Sequence, residues 1–527
     1  MIREVQPDAI PKKEALADAK GCHDQAIGHK KGQKACDQDK GELKMDIRDR
    51  TLFREQCYLC GTWVDSDNGS TTLIANPATG EPLGRVPDMG REETRRAISA
   101  AQAASPGWRA LVPQARALIL RRWFNLIVES QEDLAVILTM EQGKPLAEAR
   151  GEIIYAASFL EWFAEEGKRV YGDIIPPHQP DKRILVLKEP VGVCAAITPW
   201  NFPAAMITRK VGAALAAGCT MVVKPARQTP FSALALAVLS ERAGLPAGVL
   251  NIMTGPAQTI GDEILDNPLV RKLSFTGSTA TGKYLMQRSA GTLKRLSLEL
   301  GGNAPFIVFE DADLEAAVAG AMLSKYRNSG QTCVCANRFL IQDSIYDEFT
   351  ARLTDAVRSQ MVVGSGLEPG VTQGPLIDEA AVVKIERQIE DAVVKGAKIL
   401  TGGKRHALGG TFYEPTVLID ATPEMLCARE ETFGPLAPIF RFRDDEEAAA
   451  LANATEFGLA AYFYSRDLRR VFTMAEALQY GIVGINTGVI STEVAPFGGI
   501  KESGFGREGS KYGIEEYLNI KYMCVAL

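Results

Sequence analysis

The stretch Arg327-Asn328-Ser329-Gly330-Gln331-Thr332-Cys333-Val334-Cys335-Ala336-Asn337-Arg338 sets a cysteine in a small, polar, glycine-containing turn. A thiol there can reach a substrate instead of packing in a core, so Cys333 reads as a nucleophile. Such a thiol needs a base and a donor set for the oxyanion it creates. Imidazole is the usual base, but the chain has only four histidines, His23, His29, His178 and His406, none near Cys333 in sequence. A carboxylate is the better candidate. Leu298-Glu299-Leu300-Gly301-Gly302-Asn303 places an acid between two leucines, before a glycine pair that lets backbone approach closely. An apolar setting would raise the pKa of Glu299 and suit it to general-base work. Taken alone, the motif also fits a surface glutamate at a strand end.

These residues must be held by a fold, and 527 residues are too many for one compact core. Two or more domains are expected. Hydrophobic content of 46% with 24% charged residues is ordinary for a globular protein. The net charge of -6 shows no basic excess for nucleic acid or anionic membrane. No apolar run approaches the ~20 residues that span a bilayer. The ten cysteines are scattered and no secretory signal is evident, which predicts a reducing, cytoplasmic setting.

Residues 1–44 are rich in Lys, Asp, Gln and Gly and read as a disordered extension, with a more ordinary sequence from Met45. Cys57-Tyr58-Leu59-Cys60 lacks a convincing second ligand pair, so a strand is expected there and no metal. Glu92 to Lys168 is helical in pattern: Ser130 with Asp133 can cap one helix, Gly143 can end it and Pro145 can open the next. Ile153, Ala157, Leu160 and Ala164 then form a core stripe. Residues 171–190 suggest a hairpin. Strand-like runs at 191–198, 221–224, 249–254 and 272–276 alternate with Ala-rich helical segments, which predicts βαβ units and a parallel, nucleotide-binding sheet. Ligands of such sheets sit at the carboxyl ends of the strands, here 198–201, 224–227 and 275–278. The second half repeats the alternation, with strands near 306–309, 339–341, 435–442, 459–464 and 481–486, and ends in a strand-like tail from Tyr517.

Two motifs mislead. Gly504-Phe505-Gly506-Arg507-Glu508-Gly509 matches a dinucleotide fingerprint, but too little chain follows for a βαβ unit, so it reads as a Gly-rich loop. Gly277 to Lys283 nearly matches a P-loop, yet Tyr284 stands where the Mg²⁺-binding hydroxyl belongs. A helix N-terminus there can still contact a cofactor phosphate.

The set Pro199-Trp200-Asn201-Phe202-Pro203, Lys224-Pro225-Ala226, Phe275-Thr276-Gly277-Ser278, Glu299-Leu300-Gly301-Gly302, Gly330-Gln331-Thr332-Cys333, Glu430-Glu431-Thr432-Phe433-Gly434-Pro435 and Pro496-Phe497-Gly498-Gly499 resembles the NAD(P)-dependent aldehyde dehydrogenase superfamily, over about residues 46–527. Within it the chain looks most like the succinate-semialdehyde dehydrogenase subgroup. The resemblance implies an α/β fold with a Rossmann-type cofactor domain (45–170 and 191–298), an α/β catalytic domain (299–510) and an oligomerisation arm (171–190 and 511–527). It implies that Cys333 attacks the aldehyde, that the Asn201 side chain and the Cys333 N–H hold the oxyanion, and that Glu299 activates water against the thioester. Comparable oxyanion donors contribute ~3–4 kcal/mol each. Pro199, Trp200, Lys224, Ala226, Arg227, Gly277, Ser278, Leu300, Glu431 and Phe433 would hold the cofactor. Relatives that prefer NAD commonly carry Glu at the position of Arg227; a guanidinium suits a 2′-phosphate, so NADP is expected to be preferred over NAD. A solvated surface Arg is the plain alternative. The substrate carboxylate would meet Arg209, Arg327 and Ser491. Cys335 would be a resolving thiol for redox control, or simply a small buried residue.

The expected substrate is succinate semialdehyde, with glutarate semialdehyde as the alternative, and the expected assembly a homodimer or homotetramer. Rival classes are a cysteine acyl-transferase or esterase without nicotinamide, and a non-catalytic descendant of the fold. The strand–helix alternation with Lys224 and Glu431 disfavours the first; the intact Cys333, Glu299 and Asn201 disfavour the second.

Overall fold

The computed structural model describes residues 47–527; the expectation for 1–44 lies outside them. Five parallel strands lie in the order Arg295–Glu299, Val270–Thr276, Val193–Ile197, Thr220–Lys224, Leu250–Ile252. Their sequences run apolar without alternation because both faces are covered: every residue of Thr220–Lys224 and Leu250–Ile252 is buried. Antiparallel edges complete an eight-stranded sheet: Gly504–Phe505 on one side, and the hairpin Cys57–Leu59 with Thr62–Val64 on the other. The chain order reverses between Val193–Ile197 and Val270–Thr276. A crevice at the carboxyl ends of those two strands is where such sheets bind ligands.

A seven-stranded sheet follows, with six parallel strands in the order Thr416–Ile419, Leu436–Phe442, Ala336–Gln342, Ala304–Val308, Ala460–Tyr464, Ile482–Ile485. Between Glu299, which ends a strand of the first sheet, and Ala304, which begins a strand of the second, lie only Leu300 to Asn303. The carboxyl edge of one parallel sheet is thereby joined to the amino edge of the other. A third sheet pairs Leu518–Ala526 with Lys182–Pro190 residue for residue, and Lys182–Pro190 with Asp173–Ile175.

The helical stretch is built from Arg91–Ala110, Pro113–Glu129, Gln131–Gln142 and Leu146–Glu166. Ile153, Ala157, Leu160 and Ala164 are all buried. Gly143 ends the third helix with φ +94°, a conformation open to glycine at no steric cost. The expected Ser130–Asp133 cap is not made. Ser130 makes no side-chain capping bond, and the Asp133 carboxylate instead accepts the N–H groups of Arg48 and Asp49 at 2.9 and 3.0 Å. Strands that were not foreseen include the hairpin Thr71–Ala75 with Pro82–Pro87, Arg295–Glu299, the edge strand Lys398–Thr401 and its neighbour Thr416–Ile419. The hairpin and Lys398–Thr401 are largely solvent-facing, Arg295–Glu299 is interrupted by polar residues and Thr416–Ile419 is only four residues long, so none carries a sustained apolar pattern.

Candidate active site

Cys333 sits between the helix Leu314–Tyr326 and the strand Ala336–Gln342, after a turn in which Asn328, Ser329 and Gly330 all take the left-handed conformation (φ +53°, +56° and +75°). For the two non-glycine residues this costs ~1–3 kcal/mol each, and it persists only where the surroundings over-determine it. They do so here. The Asn328 N–H donates to Glu148 Oε2 (2.8 Å), and Asn328 Nδ2 donates to the carbonyls of Asn201 (3.0 Å) and Gln331 (3.1 Å). Ser329 Oγ donates to the Gly374 carbonyl (3.0 Å), and Gln331 Nε2 to the Asn328 carbonyl (3.2 Å). Gly330 lies directly against the Gly434 carbonyl, leaving no room for a Cβ.

Asn201 is buried in the loop after Val193–Ile197, and its Nδ2 donates to the Gln331 carbonyl at 3.2 Å, two residues from the nucleophile. The Cys333 N–H has no hydrogen-bond partner among the described residues. The two proposed oxyanion donors therefore flank one thiol. Burial pushes that thiol up to about 12, with Glu431, Glu299 and Cys335 adding to the rise and Arg209 opposing it.

Glu299 ends its strand buried, and neither of its carboxylate oxygens has a partner among the described residues. Burial raises its carboxyl well above the usual range, and Glu508 raises it further against Arg209, Lys210 and Arg507. The setting is thus not purely apolar, as the flanking leucines suggested. Glu508, set aside in sequence as part of a Gly-rich loop, is buried and ion-paired with both Arg209 and Lys210. Burial would raise it, but those cations outweigh burial and hold it below the ordinary range.

Cys333 opens into a cavity of about 350 Å³ whose walls include Pro199, Trp200, Asn201, Gly277, Ser278 and Leu300 from the first sheet's carboxyl edge, and Glu431 and Phe433 from across it. Trp200 and Phe433 meet edge to face, ring centres 5.5 Å apart. Glu431 Oε1 accepts the Gly302 N–H at 3.0 Å, while burial raises its carboxyl. Ser278 caps the helix Thr279–Ser289, its hydroxyl accepting the Thr281 N–H. Lys224 pairs in the sheet with Ile197, beside the Pro199 loop, and its carbonyl accepts the Thr198 N–H at 3.1 Å. Burial, with Arg227 nearby, lowers the Lys224 ammonium to about 8. Ala226 is buried and Arg227 exposed. Lys224, Ala226 and Arg227 do not line this cavity. Its aromatic side chains, carboxylate acceptor and helix N-terminus, with the cations on the neighbouring strand end, form a donor set that fits a dinucleotide.

Arg327 and Ser491 line a second, much smaller crevice with Thr332, Val334 and Tyr462; it borders the residues on either side of Cys333 but not Cys333 itself. The Arg327 guanidinium also lies 5.2 Å from the Phe202 ring centre. Arg209 lines neither space. It is buried, 4.7 Å from the Phe497 ring centre, with Nη2 unpartnered among the described residues.

The model of the aldehyde dehydrogenase family matches residues 63–523. The chain belongs to the aldehyde dehydrogenase family. It is 66% identical over 481 residues to a glutarate-semialdehyde dehydrogenase of Pseudomonas aeruginosa, covering 91% of this chain and 99% of the relative. It is 65% identical over 483 residues to an NADP(+) succinate-semialdehyde dehydrogenase of Escherichia coli, covering 92% of this chain and all of the relative. Among solved structures, a succinate-semialdehyde dehydrogenase from Burkholderia pseudomallei superposes with a TM-score of 0.91 at 64% identity, covering 92% of this chain and all of that one.

In this aldehyde dehydrogenase, Cys335 is buried and its thiol donates to the Lys325 carbonyl at 3.3 Å. Sequence reasoning missed three participants. Lys384 lines the cavity from the helix Glu379–Val394, and nothing in the sequence pattern turned that lysine inward. Glu508 was missed because its partners are remote in sequence. The Tyr155 hydroxyl is buried without a partner, and burial pushes it up to about 12 against the pull of Arg209 and Arg327. Among the described residues no helix is long and apolar enough to cross a membrane, and no three His, Cys, Asp or Glu side chains cluster to hold a metal.

The tight turn before Cys333 is testable through Gly330→Ala, which adds a Cβ against a backbone carbonyl at positive φ. It is expected to destabilise the enzyme by about 2–4 kcal/mol, read as a lower urea midpoint at unchanged slope. A wild-type midpoint would refute this account of the turn.

Proposed function

We propose that this aldehyde dehydrogenase oxidises a short ω-semialdehyde acid, succinate semialdehyde to succinate, with NADP preferred over NAD. The observation that carries the reading is the cavity into which Cys333 opens together with Asn201, Glu431 and Phe433, with Arg327 and Ser491 in a separate crevice bordered by its neighbours Thr332 and Val334. The names of the relatives support it, since both are semialdehyde dehydrogenases and one is named for NADP(+). Glutarate semialdehyde is one methylene longer, a difference worth only ~1–3 kcal/mol, and is the second reading.

Cys333 adds to the aldehyde carbon, and the oxyanion that forms is held by Asn201 Nδ2 and the Cys333 N–H. A nicotinamide dinucleotide bound in the cavity would accept the hydride released from that carbon. Lys224, Arg227, Ser278 and Glu431 would bind and orient it, with Trp200 and Phe433 excluding water from the reacting face. Glu299 then takes a proton from water as the water attacks the thioester. Its two unpartnered oxygens leave it free to do so. Arg327, Ser491 and Arg209 Nη2 would hold the far carboxylate, with the Tyr155 hydroxyl beside them.

Reduced-nicotinamide absorbance tests the chemistry. Succinate semialdehyde with NADP is expected to give turnover, and Cys333→Ala none. Glu299→Gln is expected to give one rapid equivalent of reduced cofactor and then a rate lower by about 10²–10⁴. Burial raises both Cys333 and Glu299, and both work deprotonated, so turnover should climb as the pH rises from neutrality towards the thiol's value of about 12. No turnover with either semialdehyde and either cofactor, or a rate that falls across that interval, would sink the reading.

The anchor is tested separately. Arg327→Gln and Ser491→Ala are each expected to raise KM for succinate semialdehyde about 10–100-fold while changing it little for neutral butanal. Equal changes for both aldehydes would remove the carboxylate role.

The sheet of Asp173–Ile175, Lys182–Pro190 and Leu518–Ala526 exposes Ile520 and Tyr522 on one face and Ile174 on the other, apolar groups available to a second copy of the chain. We read it as the arm of a homodimer or homotetramer. Deleting residues 518–527 should lower the molar mass measured by light scattering; an unchanged mass would exclude the arm.

A further inference from the structure

The loop that carries Asn201 is fixed from behind by a buried ion pair that the chemistry above does not use. Lys144 lies between the helices Gln131–Gln142 and Leu146–Glu166, and Glu152 lies on the second of them. Their side chains are 1% and 0% exposed. Lys144 Nζ donates to Glu152 Oε2 at 2.6 Å and to the Asn201 carbonyl at 2.8 Å, and sits 3.9 Å from the Phe202 ring centre. Glu152 Oε1 accepts the Ala204 N–H at 2.9 Å, where the helix Ala205–Ala217 begins. The same Asn201 carbonyl accepts Asn328 Nδ2 at 3.0 Å, from the turn that leads to Cys333.

We propose that Lys144 and Glu152 are positioning residues for the oxyanion site, an inference that rests on Asn201 being an oxyanion donor. No regular element sets the backbone from Thr198 to Ala204, so its directed contacts must do so. An enclosed ion pair is a poor source of stability, because a well-packed apolar pair does as well or better. What the pair supplies is direction. Lys144 fixes the carbonyl of Asn201, Glu152 fixes the N–H of Ala204, and Asn328 ties the same carbonyl to the nucleophile's turn. The side-chain amide between these points is thereby held in register with the Cys333 N–H. Donor placement of this kind has large leverage, since a shift of about 1 Å can cost about 10²-fold in rate.

The test is a cycle in the full-length enzyme with succinate semialdehyde and NADP. Lys144→Met with Glu152→Gln leaves no lone buried charge and keeps an acceptor for the Ala204 N–H. It is expected to lower kcat about 10–100-fold with KM within about twofold. In an Asn201→Ala background the same two substitutions should cause no further fall, because the group they position is gone. An unchanged kcat, or an equal loss in both backgrounds, overturns the proposal and leaves the pair a structural one. If Asn201→Ala alone left kcat intact, the oxyanion reading would fall and this proposal with it. Should the double substitution prevent folding, Glu152→Gln alone, with Lys144 able to shed its proton because burial already lowers its ammonium, runs the same cycle: a loss of kcat confined to the background that retains Asn201 supports the proposal, and no loss or an equal loss overturns it.

Discussion

Two groups that the proposed chemistry requires to ionise, the Cys333 thiol and the Glu299 carboxyl, are both withdrawn from water, and their surroundings answer to the cost of charge in that place. Burial alone drives each towards its neutral form. The nearest compensation is the buried cluster of Arg209, Lys210 and Glu508. Two cations against one carboxylate leave a positive charge unmatched, and an ionised Glu299 supplies its counter-charge. The cations of the cluster therefore pull the Glu299 carboxyl towards its ionised form, against the desolvation and the Glu508 charge that raise it. A surface glutamate could not be poised in this way, because water would hold it ionised throughout.

The architecture follows from bringing a carboxyl edge against an amino edge. The first sheet offers its strand ends and the loops after them, which supply Asn201, Ser278 and Glu299. The second offers the turn that enters Ala336–Gln342, which supplies Cys333. Only Leu300 to Asn303 join the two sheets, and the glycines there matter: a Cβ on Gly302 would lie 2.5 Å from the Cys333 carbonyl. That close approach puts the base and the nucleophile on facing edges without a long linker whose freedom would have to be lost on folding.

Much of this was legible in sequence, for a physical reason. Parallel strands covered on both faces read as apolar runs, and alternation with helices leaves few topologies. Runs such as Thr220–Lys224 and turn residues such as Gly143 therefore announced themselves. The site was legible only where its motifs are local, as in the turns around Asn201, Glu299 and Cys333. What stayed hidden is contact across distance. Lys210 and Glu508 are 298 positions apart, Asn201 and Asn328 are 127 apart, and no local pattern pairs them. Ser130 and Asp133 show the converse: a local pattern read as a helix cap that is not made, the carboxylate being diverted to backbone 84 and 85 positions away.

The same division explains why chemistry is easier to read here than substrate length. The reacting atoms are set by short motifs and by hydrogen bonds of about 3 Å. In the proposed reading the far end of the substrate would be set by groups on separate segments: Arg327 on the turn before Cys333 and Ser491 on a loop of the second sheet, with Tyr155 of the helix Leu146–Glu166 within electrostatic reach of Arg327. Moving any one of those segments by less than a carbon–carbon bond would change which chain length fits, without altering a single residue type. Specificity between semialdehydes one methylene apart is thus a property of packing between elements, and relatives with nearly the same motifs can differ in it.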